Sequence, residues 1–151
     1  MMNKWIKGML AGLAATVVLS VLMVMKGKMG LMPDVNVIAM LAGKMGGDIM
    51  MGWAAHFMIG VIGYGLVYAL IFSELPFGNH TTRGIVMGIT GWLVMMVAVM
   101  PMMGAGLFGL SMPSGMMVPV ATLMLHIVFG AVLGFVYGLT AHTGEHIATS
   151  V

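Results

Sequence analysis

An all-α integral membrane fold is predicted by three features of this sequence: four transmembrane helices as two parallel-repeat helical hairpins, with a short interfacial helix in the first loop. Hydrophobic residues make up 61% of the 151, charged residues only 7%, and the mean hydropathy is +1.11. A soluble domain of this length has too little interior to hide that much apolar surface. The few charges leave uncharged runs of 18 residues between Lys7 and Lys26, 25 between Asp48 and Glu74, and 61 between Arg83 and Glu145. A helix crosses the hydrocarbon core with about 20 apolar residues, so the first two runs hold one span each and the third holds two. The third feature is repetition. Lys7-Gly8-x3-Gly12 recurs 76 residues later as Arg83-Gly84-x3-Gly88, and His56-x3-Gly60 recurs 70 residues later as His126-x3-Gly130.

In chain order, the spans are expected near 6–25, 50–72, 84–100 and 118–140, with Pro101, Pro113 and Pro119 dividing the long last run. The first has the Lys4/Lys7 flank of a signal peptide, but its apolar run is long and no small-x-small site precedes Lys26, so it reads as an uncleaved anchor. Between spans one and two, Pro33 and Asp34 are expected to start an interfacial helix with Val37, Ile38, Met40 and Leu41 on one face and Gly43 as its stop. Its counterpart, from Pro101 to Met117, has no polar face and reads as a loop folded over the bundle. The chain is a single membrane domain over 1–151, with repeat 1 at 4–73, repeat 2 at 80–141 and a polar C-terminal tail at 142–151. Two copies with an even number of spans share one orientation, so the repeats are parallel.

Lys and Arg do not decide the orientation by number: Lys4, Lys7 and Arg83 fall on one side, Lys26, Lys28 and Lys44 on the other. The first helix usually dominates, and the loop after Pro101 carries no charge. Both termini are therefore expected in the cytoplasm.

On a helix, positions four apart share a face. Span two then presents Gly52, His56 and Gly60 as one stripe, and span four presents Thr122, His126, Gly130, Gly134 and Gly138. Small residues mark where helices approach closely in lipid, so these glycines, with Gly8, Gly12, Gly84 and Gly88, are the expected packing faces. The two histidines should face protein at matched depths of about 9 and 12 Å at ~1.5 Å rise per residue. An ionisable group turned from lipid is a functional candidate.

Three roles compete for His56 and His126. They can bond across the bundle to Ser20, Thr16, Thr90 or a freed carbonyl. They can be axial ligands of haem b, one from each repeat. Or they can bind Cu(I), for which Met102, Met103, Met112, Met116 and Met117 offer soft thioethers on the same side. His142, Glu145 and His146, near His80, have metal-like spacing but suit a solvated tail. Trp5, Tyr68, Tyr137 and Trp53 read as interfacial belts, and Trp92 as a buried indole seeking an acceptor.

The absence of cysteine excludes thiol chemistry and disulfides. No span carries a carboxylate, no phosphate-cradling loop occurs, and six basic residues do not make a nucleic-acid surface. In its four-span layout and its K/R-G-x3-G and H-x3-G elements, the chain resembles small bacterial inner-membrane proteins of unknown function, including the YagU-like ones. That resemblance implies a multi-pass bacterial inner-membrane location. The expected role is a non-catalytic accessory subunit, packing through glycine faces against other membrane-protein subunits or itself, with lipid as its surroundings. A haem- or copper-binding redox subunit is the second reading, and a small transporter or channel component the third.

Overall fold

The computed structural model describes the backbone of residues 2–148 and the side chains of residues 2–140. Four helices are long and apolar enough to cross a membrane: Lys4–Lys28, Ile49–Glu74, His80–Met102 and Met117–Thr140. Each contains the corresponding expected span. The scarce polar residues begin the helices. Asn3, Asn36, Asp48 and Asn79 each accept a backbone N–H from the first turn of α1 (Lys4–Lys28), α2 (Val37–Lys44), α3 (Ile49–Met58) and α5 (His80–Val94) respectively. Such caps satisfy donors that would otherwise be orphaned at a helix start.

Helix α1 buries only small residues: Gly8, Ala11, Gly12, Ala15, Thr16 and Ser20. Through this face it packs on both the second span and α7 (Met117–Ala148), while α5 lies closest to α7. The second and third spans pack extensively only near the turn joining them. Close approach depends on missing side chains. A Cβ on Gly12 would stand 2.7 Å from the Gly60 carbonyl oxygen, and one on Gly65 2.6 Å from that of Gly8. Cβ atoms on Gly84 and Gly130 would each strike the other's carbonyl, and one on Gly88 would strike that of His126.

Two spans are not α-helical throughout. A π segment, Ile59–Tyr64, separates α3 from α4 (Gly65–Leu70), and another, Met95–Val99, separates α5 from the short α6 (Met100–Met102). The extra residue in the first explains a departure from the four-residue stripe. Gly60 and Gly65, five apart, face α1. Tyr64 is rotated away, with its ring 5.0 Å from that of Phe129.

The connections close both ends. At one end Lys4 pairs with Glu74 at 3.6 Å, and Arg83 donates to the carbonyls of Ser73 and Phe77. At the other end Ser114 donates through its backbone N–H and hydroxyl to Asp34. Asp34 therefore docks the first loop on the third and does not start a helix. Helix α2 begins after Asn36, runs through Gly43 to Lys44, and buries Ile38 and Ala42. It seats on α3 because Gly52 lacks a side chain: a Cβ there would be 3.1 Å from that of Ala42. The loop after α6 folds inward through Phe108, whose ring lies 5.8 Å from Trp92. Tyr68 and Tyr137 are buried ring to ring at 5.0 Å, and no longer read as belt residues. Tyr68 donates to the His80 carbonyl at 2.7 Å, because the turn after α4 folds over it.

Candidate binding cavity

Because the second and third spans diverge above their turn, a cavity of about 330 Å3 remains inside the bundle. Thr16, Leu19 and Met23 of α1 and Thr122, Leu125 and His126 of α7 form its back. His56, Ile59 and Tyr64 form the wall from the second span, and Gly91, Val94 and Met95 the wall from the third. Val37, Met40 and Leu41 of α2 cover it together with Met32, Val35 and Met103 from the loops. Lys26 stands at this covered end, donating to the carbonyls of Met32 at 3.1 Å and Val35 at 2.6 Å. Ile59 and Val94 line the cavity yet remain 48% and 57% exposed. They mark an opening between the second and third spans, on the outer surface of the bundle.

Both histidines line this one cavity. A carbonyl assigns the tautomer of His126, and a hydroxyl constrains that of His56. Ser20 has a single proton, which it gives to the Thr16 carbonyl at 2.7 Å. Its oxygen then meets His56 Nε2, 3.2 Å away, as an acceptor. In that arrangement His56 carries its proton on Nε2 and is bare on Nδ1; with the Ser20 hydroxyl turned to donate to Nε2, the proton sits on Nδ1 instead. A carbonyl can only accept, so His126, with Nδ1 2.8 Å from the Thr122 oxygen, is protonated on Nδ1 and bare on Nε2. Neither remaining ring nitrogen, His56 Nδ1 or His126 Nε2, has a hydrogen-bond partner among the described residues, and neither is sealed inside the protein. The expected bond across the bundle is present for His56, whereas His126 bonds within its own helix.

The other candidates separate. All nine packing glycines (Gly8, Gly12, Gly52, Gly60, Gly84, Gly88, Gly130, Gly134 and Gly138) meet another segment of the same chain within contact distance of a Cβ. No surplus packing face remains among them. Of the five methionines, Met102, Met116 and Met117 are more than 60% exposed and Met112 packs on the loop core. Only Met103 reaches the cavity, because the loop after α6 turns inward at Ala105 and Phe108. His142, Glu145 and His146 lie outside the residues with described side chains. Trp92 finds its acceptors in the Pro119 carbonyl at 3.0 Å and Thr122 Oγ1 at 3.2 Å.

Sequence reasoning missed Tyr64, Lys26, and Met23, Met40 and Met95. Tyr64 was hidden because a regular four-residue stripe assigns its position to the α1 contact. Lys26 reads as an ordinary flank until the first loop folds back over it.

These features define a class: a multi-pass helical membrane protein with a histidine-lined internal cavity. Residues 2–148 match the model of a family of unknown function (DUF6789), and the chain belongs to that family. The match agrees with the expected unknown-function family but gives no support to the YagU-like comparison. No curated protein and no solved structure matches the chain.

Proposed function

We propose that this is a non-catalytic membrane protein that holds a small, largely apolar molecule in its cavity, anchored by His56 and His126. The carrying observation is that both histidines line one space, each held by one ring nitrogen and leaving the other without a partner among the described residues. At about 330 Å3 the space lies within the roughly 300–1,000 Å3 of small-molecule pockets, with apolar walls and a few polar groups as such sites have. The test is native mass measurement after extraction in mild detergent, with small molecules identified from the same sample. Wild type is expected to carry a bound small mass that is lost in Ala121→Phe, which fills the cavity. The mass should be reduced in His56→Ala and His126→Ala. Protein that carries nothing, in wild type and variants alike, would sink the proposal.

Packing against partner subunits is the weaker reading, since every glycine on which it rested is engaged within the chain. Haem is also disfavoured. The nitrogen of His56 left without a partner is Nδ1, next to the ring carbon that carries Cβ, so a flat macrocycle bound there would press on the side chain's own stem. Cu(I) stays as a second reading because Met23, Met40, Met95 and Met103 line the same cavity as the two histidines. Metal analysis and a visible spectrum of the same preparation test both.

The two histidines serve as equivalent positions of a hairpin used twice in parallel. Gly12 against Gly60 and Gly88 against Gly130 are the matching contacts that support this. The proposed location is the bacterial cytoplasmic membrane, with both termini in the cytoplasm.

A further inference from the structure

We infer that the ligand is a quinol-class amphiphile, a flat aromatic ring with two hydroxyls and an apolar tail, taken sideways from the bilayer; this rests on the cavity reading above. A backbone carbonyl holds the His126 proton on Nδ1, so the ring offers its cavity ligand a lone pair and no proton. His56 is in the same state while Ser20 donates to Thr16. The threonines are alike: Thr16 gives its proton to the Gly12 carbonyl and Thr122 to that of Val118, at 2.7 and 2.6 Å. With Ser20 turned to Thr16, the histidine zone of the cavity accepts and does not donate, the donors Tyr64 and Lys26 standing further along the lining, and its complement is a molecule with hydroxyl donors. His56 and His126 approach from different helices, which suits two hydroxyls on opposite sides of a ring.

The walls suit the rest of such a molecule. Met23 and Met95 supply polarisable thioethers that contact aromatic rings favourably. The exposed Ile59 and Val94 flank an opening at the level of the spans, where lipid and not water surrounds the protein. The covered end is closed by α2 and the clamped loops, and Tyr64 stands about two turns beyond His56 along the second span. A tail lying through the Ile59/Val94 opening leaves the ring between the histidines. Binding alone is inferred, with no transfer of electrons.

The experiment compares decylubiquinol with decylubiquinone on the full chain in phosphatidylcholine vesicles, read by quenching of tryptophan emission. The indole of Trp53 lies 5.9 Å from His56, and Trp92 is bonded to Thr122 beside the cavity. Saturable binding of the quinol is expected, about three- to tenfold tighter than that of the quinone, as one or two net hydrogen bonds allow. His126→Phe should erase the preference while circular dichroism reports an unchanged fold. Ile59→Trp, at the opening, should slow association in a protein whose histidines are intact. Equal binding of the two forms, both abolished by Ala121→Phe, overturns the quinol assignment and leaves the cavity reading standing. Saturable Cu(I) binding with no quinol binding has the same consequence. If neither compound binds and Ala121→Phe releases no other bound molecule, both readings fail.

Discussion

Ser20 has one proton and two neighbours, and how it divides its oxygen decides the state of His56. Replacing it with alanine leaves the His56 N–H without its acceptor in a buried position. Ser20→Ala is expected to lower stability by about 0.6–2 kcal/mol, the range for hydrogen bonds between membrane helices, measured by unfolding in mixed detergent micelles. The glycines give a sharper contrast. Gly88→Val should destabilise by about 1–3 kcal/mol or more, because its side chain would enter the backbone of His126 and Gly130. Gly63 has open space around it, so Gly63→Ala should change stability by no more than about 0.5 kcal/mol. At this scale much was legible: polar residues in an apolar span have few partners to choose from, and Ser20 was among those expected for His56. That His126 turns to the carbonyl one turn back in its own helix was not, since a sequence does not show which rotamer a side chain takes.

Between elements, the clamp of Asp34 on Ser114 joins the first loop to the third. The Ser114 hydroxyl, followed by its backbone N–H, holds the Asp34 carboxyl below its ordinary range, with help from Lys26. The sign follows from linkage: a depressed value means that the folded state favours the ionised form. The clamp's contribution is complete above the ordinary carboxylate value of about 3.9 and is lost as pH falls through the lower folded value. Hydrogen exchange in residues 103–116 should accelerate as pH is lowered through that window, after correction for intrinsic exchange rates. Ser114→Ala should exchange fast already at neutral pH, with a much weaker dependence. Helix existence was readable here, because the uncharged runs are long enough to hold the four spans. The π segments were not. Ile59–Tyr64 has the composition of any membrane helix, and only its contacts reveal the extra residue that gives Gly65 to α1 and Tyr64 to the cavity.

Across the whole molecule, four spans place Asn3 and Asn79 on one side and the α2 loop on the other. The natural chain has no cysteine, so single cysteines report cleanly. Cysteines at Asn3 and Asn79 should react together with a membrane-impermeant maleimide only in inverted vesicles, and one at Gly46 only in right-side-out cells. The opposite pattern would reverse the proposed orientation without altering the fold. The sequence by itself determined that the chain lives in a membrane, how many times it crosses, and which residues are too small or too polar to face lipid. Those properties follow from hydration and desolvation, which are additive along a chain. Only the tertiary structure decided that the glycine faces are used up inside the bundle, that the second and third spans diverge, and that both histidines line the space between them. Those outcomes depend on how backbones fit in three dimensions, where one added residue in a helical turn redirects every side chain after it.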